Sequence, residues 1–549
     1  MRVFQHLLLL FGVLADAARV EVNWDVSYVQ TNRDGHSPRR SIAVNGVQPI
    51  PPVFATRGDT IALTVHNSLD QSTSVHAHGL FQNGTNYMDG PAMVTQCGIP
   101  PGHSFTYEYL ADHAGTFWLH GHDHHQNSDG LRTPLIVHEK KEEPFRYDAE
   151  YVLSLEDWYQ FEFAARLKDT LDPTKSFPPP PSFPYALFNG QPVAPKLDFA
   201  PGKTYRLRII NMSTTEWFQF SLPGHQMRVI EADGEYSQPS LTDGLDMGPG
   251  QRYSVLVTAH NSVEFNYHYN ATLYAGFVPK VEDKNPRYYQ GLIEYRKDAP
   301  VKATTEPHDF KWLLDVDLCA LNGRPPLPVD RQIVLTVGGS LFTTGQIMDV
   351  INNITYAQPL VPTLYSALSL EAPFNTDGSA YGPQTHALVL KHLEYVELLV
   401  NNPNNLPHPM HLHGHAFQII EYGPLTVNSS DPVRRFSAEA NAPAQRDTII
   451  VPVMHYVKIR FRADNPGVWL FHCHMDIHFG MGMALTFVEA PDVLKMQRQR
   501  VPDSMFDLCR AQGIHTSGNG AGNSGLDLTG LPEPPIRVPR GPPPPAAAS

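Results

Sequence analysis

The 549-residue sequence is poor in charge, in long apolar runs and in helical periodicity. Charged residues make up 17% of it, and the formal charge of −14 argues against nucleic acid or an anionic membrane surface as a partner. No apolar run in the mature chain is long enough for a transmembrane helix, so we expect no membrane anchor. Helical periodicity is scarce outside the region from Phe161 to Leu171, which favours an all-β fold.

Residues 1–17 have the three parts of a secretory signal peptide. Arg2 gives the positive start, Leu7–Leu14 the apolar core and Ala15-Asp16-Ala17 the small-residue cleavage site. The alternative, a membrane anchor, needs a longer apolar run. We therefore expect a secreted protein, either extracellular or in a cell wall. Five Asn-x-Ser/Thr glycosylation sequons agree with this route: Asn83, Asn211, Asn270, Asn353 and Asn428.

One strand pattern occurs three times. Gly58–Asn67, Gly202–Asn211 and His392–Asn401 each alternate apolar and polar residues and end on Asn, as a half-buried strand before a turn does. Short strands with many Pro and Gly turns indicate Greek-key β-sandwiches. The chain is also too long for one core. The spacing predicts β domains at 18–140, 148–300 and 345–492, a linker at 301–344, and a polar tail at 493–549 that is disordered from Gly518 onward.

The densest group of metal-ligand residues lies between Gly467 and Met483. Val468–Phe471 is apolar and aromatic and is typical of a strand, so His472 and His474 should share one face while Cys473 points to the other. A thiolate, two imidazoles and a later methionine form a soft ligand set that suits copper. If Cys473 binds one metal ion, the adjacent histidines are placed to bind others, which predicts a short electron path.

Assigning Cys473 to a metal leaves three cysteines. An oxidising compartment favours one disulfide, and we predict that it joins Cys97 to Cys509. Cys319 is then expected to be a free, buried thiol.

Histidine pairs spaced two residues apart occur in the first and third domains and not in the second. The later pair of each domain follows the same Gly-x-aromatic-x-x spacing, so we predict that the two domains face each other around eight imidazoles. The alternative, ordinary core histidines, would bury eight unpartnered rings at about 1–3 kcal/mol each, and metal binding explains them better. The pairs are His76 and His78, His120 and His122, His411 and His413, and His472 and His474.

A second ligand group lies beside these pairs. His408, Cys473 and His478, with Met483 as a weak axial ligand, match the trigonal ligand set of blue copper. Core packing is the alternative for Met483, because Met481 is close in the sequence, but the spacing favours Met483 as the ligand.

These motifs resemble those of multicopper oxidases, including fungal laccases and above all the iron-transport ferroxidase branch and its pigment-forming relatives. The resemblance runs from about residue 22 to 492 and includes His76–Thr85, Met88–Gly90, Thr95–Cys97 and Arg462–Gly467. It implies three cupredoxin-like β-sandwich domains and four copper ions. It also implies an oxidase that passes single electrons from type 1 copper through Cys473, His472 and His474 to a three-copper cluster, where O2 becomes two waters.

The resemblance implies a role for each histidine motif. His76 and His411 would hold type 2 copper. The two type 3 ions would lie on His78, His120 and His474 and on His122, His413 and His472. Type 1 copper would lie on His408, Cys473 and His478, with Met483 axial.

Three acids match positions of interest in the family. Asp89 and Asp476 match carboxylates near the cluster and are expected to supply protons, although Asp89 also fits a turn residue before a glycine. Asp157 aligns with one acid that binds ferrous iron in ferroxidases. The sequence has no acid in Leu273–Val278, where a second is expected.

The missing acid and missing anchor favour a laccase-like oxidase of phenols over a ferroxidase. Pigment or other secondary-metabolite precursors are the expected substrates, Asp157 is the expected hydrogen-bond acceptor, O2 is the co-substrate and the protein is expected to be a monomer. The alternatives are a ferroxidase that oxidises Fe(II) for iron uptake and a non-catalytic copper or electron-transfer protein. The complete set of cluster ligands argues against the last, because electron transfer needs only the type 1 site.

Overall fold

The fold is described here from a computed structural model, which places strands in six sheets with short helices between them. The signal-peptide prediction falls almost entirely outside the described residues. None of the helices in the described part of the chain is long and apolar enough to cross a membrane. The structure describes residues 17–36, 38–175, 185–274, 288–303, 313–426, 431–439, 441–496 and 501–537.

The first domain is a sandwich of two four-stranded sheets. Its strands β1 to β8 are Arg19–Thr31, Arg39–Val44, Val53–Thr56, Thr60–Asn67, Val75–His78, Ser104–Leu110, Gly115–Gly121 and Arg132–His138. The sheet orders are β2-β1-β4-β6 and β3-β8-β7-β5. Strand β6 buries alternate residues, as one face of a sheet against a core requires, whereas β7 is buried throughout.

The second domain packs a six-stranded sheet against a five-stranded one. Its strands β9 to β19 are Ala149–Trp158, Tyr185–Phe188, Leu197–Asp198, Thr204–Asn211, Trp217–Ser221, Met227–Ala232, Glu235–Thr242, Gly244–Met247, Arg252–Thr258, Tyr267–Tyr274 and Tyr288–Glu294. The sheet orders are β10-β9-β12-β17-β14-β15 and β11-β19-β18-β13-β16. Helix α1, Phe163–Leu171, lies within the one region with a helical sequence pattern.

The third domain has a seven-stranded and a five-stranded sheet. Its strands β20 to β31 are Arg331–Leu341, Ile347–Ile351, Ala387–Leu390, Tyr395–Asn402, His408–Leu412, Phe417–Pro424, Arg434–Arg435, Gln445–Arg446, Thr448–Val451, His455–Arg462, Gly467–Cys473 and Ala484–Glu489. The strand order of the seven-stranded sheet is β21-β20-β23-β29-β25-β26, with β27 beside β25. The order of the five-stranded sheet is β22-β31-β30-β24-β28. Helices α2 to α5 are Thr363–Ser369, Asp476–Gly480, Pro491–Met496 and Asp503–Arg510. Short 3-10 helices are Asn86–Met88, Asp315–Asp317, Phe374–Thr376 and Gly378–Tyr381.

The linker between the second and third domains is shorter than predicted. Strand β20 lies within the predicted linker at 301–344, yet it pairs in parallel with β23 over Arg331–Thr336. The third domain therefore begins before residue 345. The sequence did not reveal this strand because it begins with the polar Arg331 and Gln332 and its residues alternate between exposed and buried.

The repeated strand pattern ends each time in a buried asparagine that holds the next turn together. The Asn67 side-chain amide donates to the carbonyls of Gln71 and Ile99 at 2.9 and 2.7 Å, and its Oδ1 accepts the Leu69 N–H at 2.9 Å. The same bonding recurs at Asn211 and Asn402. The third member was predicted to be Asn401, one residue early, because the alternation alone does not mark where a strand ends.

The C-terminal tail is joined to the first domain by the predicted disulfide between Cys97 and Cys509. The prediction of disorder from Gly518 onward is wrong as far as residue 537. Asn519 is fully buried, and the N–H of Gly520 donates to the carbonyl of Ala380 at 2.9 Å. The prediction for Cys319 was also partly wrong, because it is a free thiol but only half-buried.

Replacing the third of the repeated asparagines should destabilise the protein. Asn402→Ala leaves the carbonyls of Leu406 and Val451 without their donor, which should cost about 1–3 kcal/mol of unfolding free energy. We expect a lower midpoint of thermal unfolding by calorimetry. Asn405→Ala, at an exposed position in the same loop, is the matched control. Equal midpoints for the two variants would contradict the role of the buried amide.

Candidate metal centre

Two equivalent strand pairs carry the histidine motifs. Strands β5 and β7 are antiparallel with His76 opposite His120, and strands β24 and β30 are antiparallel with His411 opposite His472. All four strands are fully buried. The second histidine of each motif lies two residues further on and therefore on the same face. The two pairs meet across the domain interface, where the ring centroids of His78 and His411 lie 3.8 Å apart.

The eight imidazoles form three groups, two of which share His78. Within each group the ligand atoms lie within 4.8 Å of one another. One group contains His76 and His411, which the resemblance assigns to type 2 copper, together with His78. The other two bring together the residues that it gives to the two type 3 ions. The groups are His76, His78 and His411; His78, His120 and His474; and His122, His413 and His472.

In three of the rings, hydrogen bonds turn one nitrogen toward the protein and leave the other free. The Nδ1 atoms of His76 and His411 donate to the carbonyls of Asp89 and Asp447 at 2.7 and 2.9 Å. The Nδ1 atom of His120 donates to the carbonyl of the next residue at 3.1 Å. The opposite Nε2 atoms of these three rings are buried without a hydrogen-bond partner. A metal ion satisfies such lone pairs, so the residues fit a bound copper cluster.

The buried rings are held in the neutral form that binds metal. Burial lowers their pKa well below 6.5, and neighbouring imidazoles lower it further because adjacent rings resist protonation together. This holds for His78, His120, His122, His413, His472 and His474.

Asp89 contacts two rings of the cluster, and Asp476 lies between His474 and His478 in the chain. Asp89 is fully buried, and its Oδ2 accepts the Nδ1–H of His413 at 2.9 Å while its Oδ1 lies 3.2 Å from Nδ1 of His76. Asp476 is buried, and its Oδ2 accepts the Ser128 hydroxyl at 2.5 Å. Burial raises the pKa of Asp476 to about 7, which suits a group that holds and releases a proton near neutral pH.

The motifs did not reveal Asp447, which also contacts the ligands. Its Oδ1 accepts a hydrogen bond from Nε2 of His78 at 3.1 Å. Arg252 of the second domain donates to both carboxylate oxygens, at 2.8 and 2.7 Å. The only sequence signal was a lone Arg-Asp-Thr ahead of a strand, with no fixed spacing to a histidine motif.

Cys473, His408 and His478 form a separate buried group. The Sγ atom lies 3.7 Å from Nδ1 of His408 and 3.5 Å from Nδ1 of His478, and the two nitrogens are 3.1 Å apart. The Cys473 N–H donates to the carbonyl of Met483, which is also buried, at 3.1 Å. Burial raises the pKa of the Cys473 thiol, and a bound cation is what would convert it to the thiolate. Three soft atoms in a triangle fit type 1 copper.

Asp157 does not lie where a substrate reaches it. Its side chain is fully buried, and its oxygens accept the N–H groups of Thr214, Thr215 and Glu216 at 2.9, 2.8 and 3.2 Å. The prediction that it accepts a hydrogen bond from a phenol was therefore wrong. Asp157 lies on strand β9, and its alignment with a family acid gave no information about what covers that strand.

The fold and these ligand groups define a class of protein: a three-domain β-sandwich protein with histidine clusters suited to copper. Three sequence models, each described as multicopper oxidase, match residues 25–142, 149–296 and 356–493. Iron multicopper oxidase fer1 of Mycosarcoma maydis is 37% identical over 94% of this chain and 88% of its own length. The chain belongs to the multicopper oxidase family and is an oxidoreductase that uses O2.

Solved structures show the same relationship. The crystal structure of Fet3p, a multicopper oxidase that functions in iron import, has a TM-score of 0.86 and 31% identity, and the match covers 95% of this chain and 100% of that one. The laccase from Botrytis aclada has a TM-score of 0.76 and 27% identity, over 91% of this chain and 93% of its own. The cupredoxin-like architecture implied by the sequence is thereby confirmed.

The stability of the metal-free protein should fall as the pH is lowered below about 6.5. Imidazoles of the unfolded chain take up protons near that pH, whereas the buried rings stay neutral far below it. The unfolded state then binds more protons, so the free energy of unfolding decreases as the pH falls. Asp349 and Asp476, with pKa values raised by burial to about 8 and about 7, act in the opposite direction but are outnumbered by the rings.

Thermal unfolding of the metal-free protein from pH 7.5 to pH 5 measures this dependence. His120→Gln removes one buried ring and should make the midpoint less sensitive to pH. A midpoint that rises as the pH falls would contradict the neutral cluster.

Proposed function

We propose that this multicopper oxidase is a ferroxidase, which oxidises four Fe(II) to four Fe(III) while one O2 and four protons become two waters. The observation that carries the proposal is the near full-length similarity to iron oxidases, at 37% identity to fer1 and 31% to Fet3p. The similarity spans all three domains, so it is not confined to the copper motifs that laccases share.

Four copper ions are the cofactors that this function requires. When bound, copper would supply one-electron chemistry at His408, Cys473 and His478 and dioxygen reduction at the eight-histidine cluster. The chain connects the two sites covalently, because Cys473 lies between His472 and His474 and each neighbour belongs to a different ligand group. Electrons would therefore pass from the Cys473 sulfur to His472 or His474 over one peptide step on either side.

The four protons need carriers, and two buried acids are placed for this role. Asp89 contacts the rings of His76 and His413, so it lies beside the cluster where bound copper would reduce dioxygen. Asp476 is hydrogen-bonded to Ser128, and a pKa of about 7 lets it accept and return a proton without a large change in free energy.

Charge supports a cation as the electron donor. The formal charge of −14 favours the approach of Fe(II) over that of an anion. The burial of Asp157 removes both the hydrogen-bond acceptor expected for a phenol and the one acid that aligned with an iron ligand, so it favours neither substrate.

Phenol oxidation is the second candidate. The amide nitrogen of Asn404 lies 3.2 Å from Nε2 of His408, so a neutral group contacts one type 1 ligand on the side away from the sulfur. A neutral amide suits an uncharged donor better than a cation. The likeness to the Botrytis aclada laccase agrees with this alternative.

Oxygen uptake by the copper-loaded protein separates the two substrates. We expect kcat/KM for Fe(II) to exceed that for a simple methoxyphenol by about tenfold or more, a difference of about 1.4 kcal/mol in transition-state stabilisation. Cys473→Ser, which should lose the blue absorption, corrects for spontaneous iron oxidation. Fast uptake with the phenol and little with iron would favour the second candidate, and uptake with neither would refute the oxidase.

We also propose that the chain is secreted, which the Cys97–Cys509 disulfide supports. Asn83 and Asn353 are exposed sequons, whereas Asn211 and Asn270 are buried in strands, and Asn428 lies outside the described residues.

In a secreting eukaryotic host, glycans are therefore expected on Asn83 and Asn353 and not on Asn211 or Asn270. Peptide mass spectrometry before and after glycosidase treatment checks this. An unmodified protein retained inside the cell would contradict secretion, and a glycan on Asn211 would contradict its burial.

A further inference from the structure

Asp157 connects the second domain to the helix that carries a type 1 ligand. Its carboxylate accepts the N–H groups of three consecutive residues, Thr214, Thr215 and Glu216. The Thr214 hydroxyl adds contacts of 3.2 and 3.3 Å to its two oxygens. One side chain thus fixes the backbone of a whole turn. A neutral amide has one acceptor oxygen and could not replace these bonds.

The same turn supports the first residue of helix α3. The N–H of Asp476 donates to the carbonyl of Thr214 at 2.8 Å. Helix α3 has five residues, and Met475 at its N-cap makes no side-chain capping bond. So short a helix is not stable alone, and its unpaired N–H groups need partners from elsewhere. The Thr214 carbonyl is such a partner, and it comes from another domain.

Helix α3 sets the position of His478. The Nδ1 of His478 lies 3.5 Å from Sγ of Cys473 and 3.1 Å from Nδ1 of His408. Cys473 and His408 lie on buried strands, whereas His478 lies on the short helix. Of these three residues, His478 is the one whose place depends most on contacts outside its own element.

Buried charge around Asp157 is compensated by Arg132. Its Nη1 lies 3.6 Å from Oδ1 of Asp157 and donates to the carbonyl of Met212 at 2.8 Å, and its Nη2 donates to the carbonyl of Asp157 at 2.7 Å. Arg132 belongs to the first domain and is also fully buried. The carboxylate is therefore held from all sides and does not turn toward solvent.

We propose that Asp157 is a positioning residue for His478 and does not bind the reducing substrate. It acts through the turn at residues 214–216 and the first N–H of helix α3. This inference rests on the type 1 ligand set of the proposed function, but it does not depend on which substrate supplies the electrons.

Asp157→Asn tests the proposal with a change of almost no volume. In the metal-free variant, amide hydrogen exchange across residues 475–482 should be about five- to tenfold faster, the factor expected for losing one hydrogen bond. In the copper-loaded variant, the blue absorption should weaken or shift and kcat should fall, while KM for Fe(II) stays within about twofold of wild type.

Two further variants keep the test decisive. Asp198→Asn removes an exposed carboxylate of the same domain and should change none of these readouts. Thr214→Val removes the hydroxyl contacts to Asp157 but keeps the backbone, so it should change exchange and absorption in the same direction by a smaller factor. It carries the test if Asp157→Asn does not fold.

A substrate-binding Asp157 gives the opposite pattern. KM for Fe(II) would rise about tenfold or more, with hydrogen exchange and blue absorption unchanged, and that result would overturn the proposal. Exchange and absorption are measured without substrate, so an absence of ferroxidase activity would count against the proposed function alone.

Discussion

The geometry of the eight-histidine cluster depends on a buried ion pair between Arg252 of the second domain and Asp447 of the third. The guanidinium donates to both carboxylate oxygens, and its Nε donates to the carbonyl of Thr116 in the first domain at 3.0 Å. Burial alone would raise the pKa of Asp447, but Arg252 holds it well below its usual range. Asp447 can then accept a hydrogen bond from Nε2 of His78, which turns Nδ1 of that ring toward His474. All three domains meet at this contact, and removing either partner would leave a buried charge uncompensated.

The histidines could be predicted because strand geometry is simple. Ligands of one cluster must lie on the face that borders it, and on a strand that means every second residue. The acids could not be predicted in the same way. Asp157 and Glu156 are neighbours on strand β9 and both are buried. Buried and exposed residues therefore do not alternate on this strand, because it is covered on both faces. Asp447 lies between two short strands, where no period applies.

Composition was also a poor guide to the tail. Gly518 and Gly520 are typical of disordered segments, yet a Cβ at Gly520 would lie 2.3 Å from the carbonyl oxygen of Tyr381. Glycine is present there because the backbone packs too closely for a side chain. Its N–H reaches the carbonyl of Ala380, and the buried Asn519 ties the tail to itself. Close packing and disorder both favour glycine, so the sequence alone does not distinguish them.

Among the described residues, none of the metal-ligand groups includes a side chain of the second domain, but this domain contacts residues of both the histidine cluster and the Cys473 group. Arg252 supports His78 through Asp447, and the turn that Asp157 holds supports His478 through the first N–H of helix α3. The distance between the two sites is fixed covalently by His472, Cys473 and His474. What the covalent chain does not fix is the orientation of His78 and His478 around those sites. Both orientations depend on charged side chains that are buried within the second domain. The second domain therefore helps to set the geometry of each site.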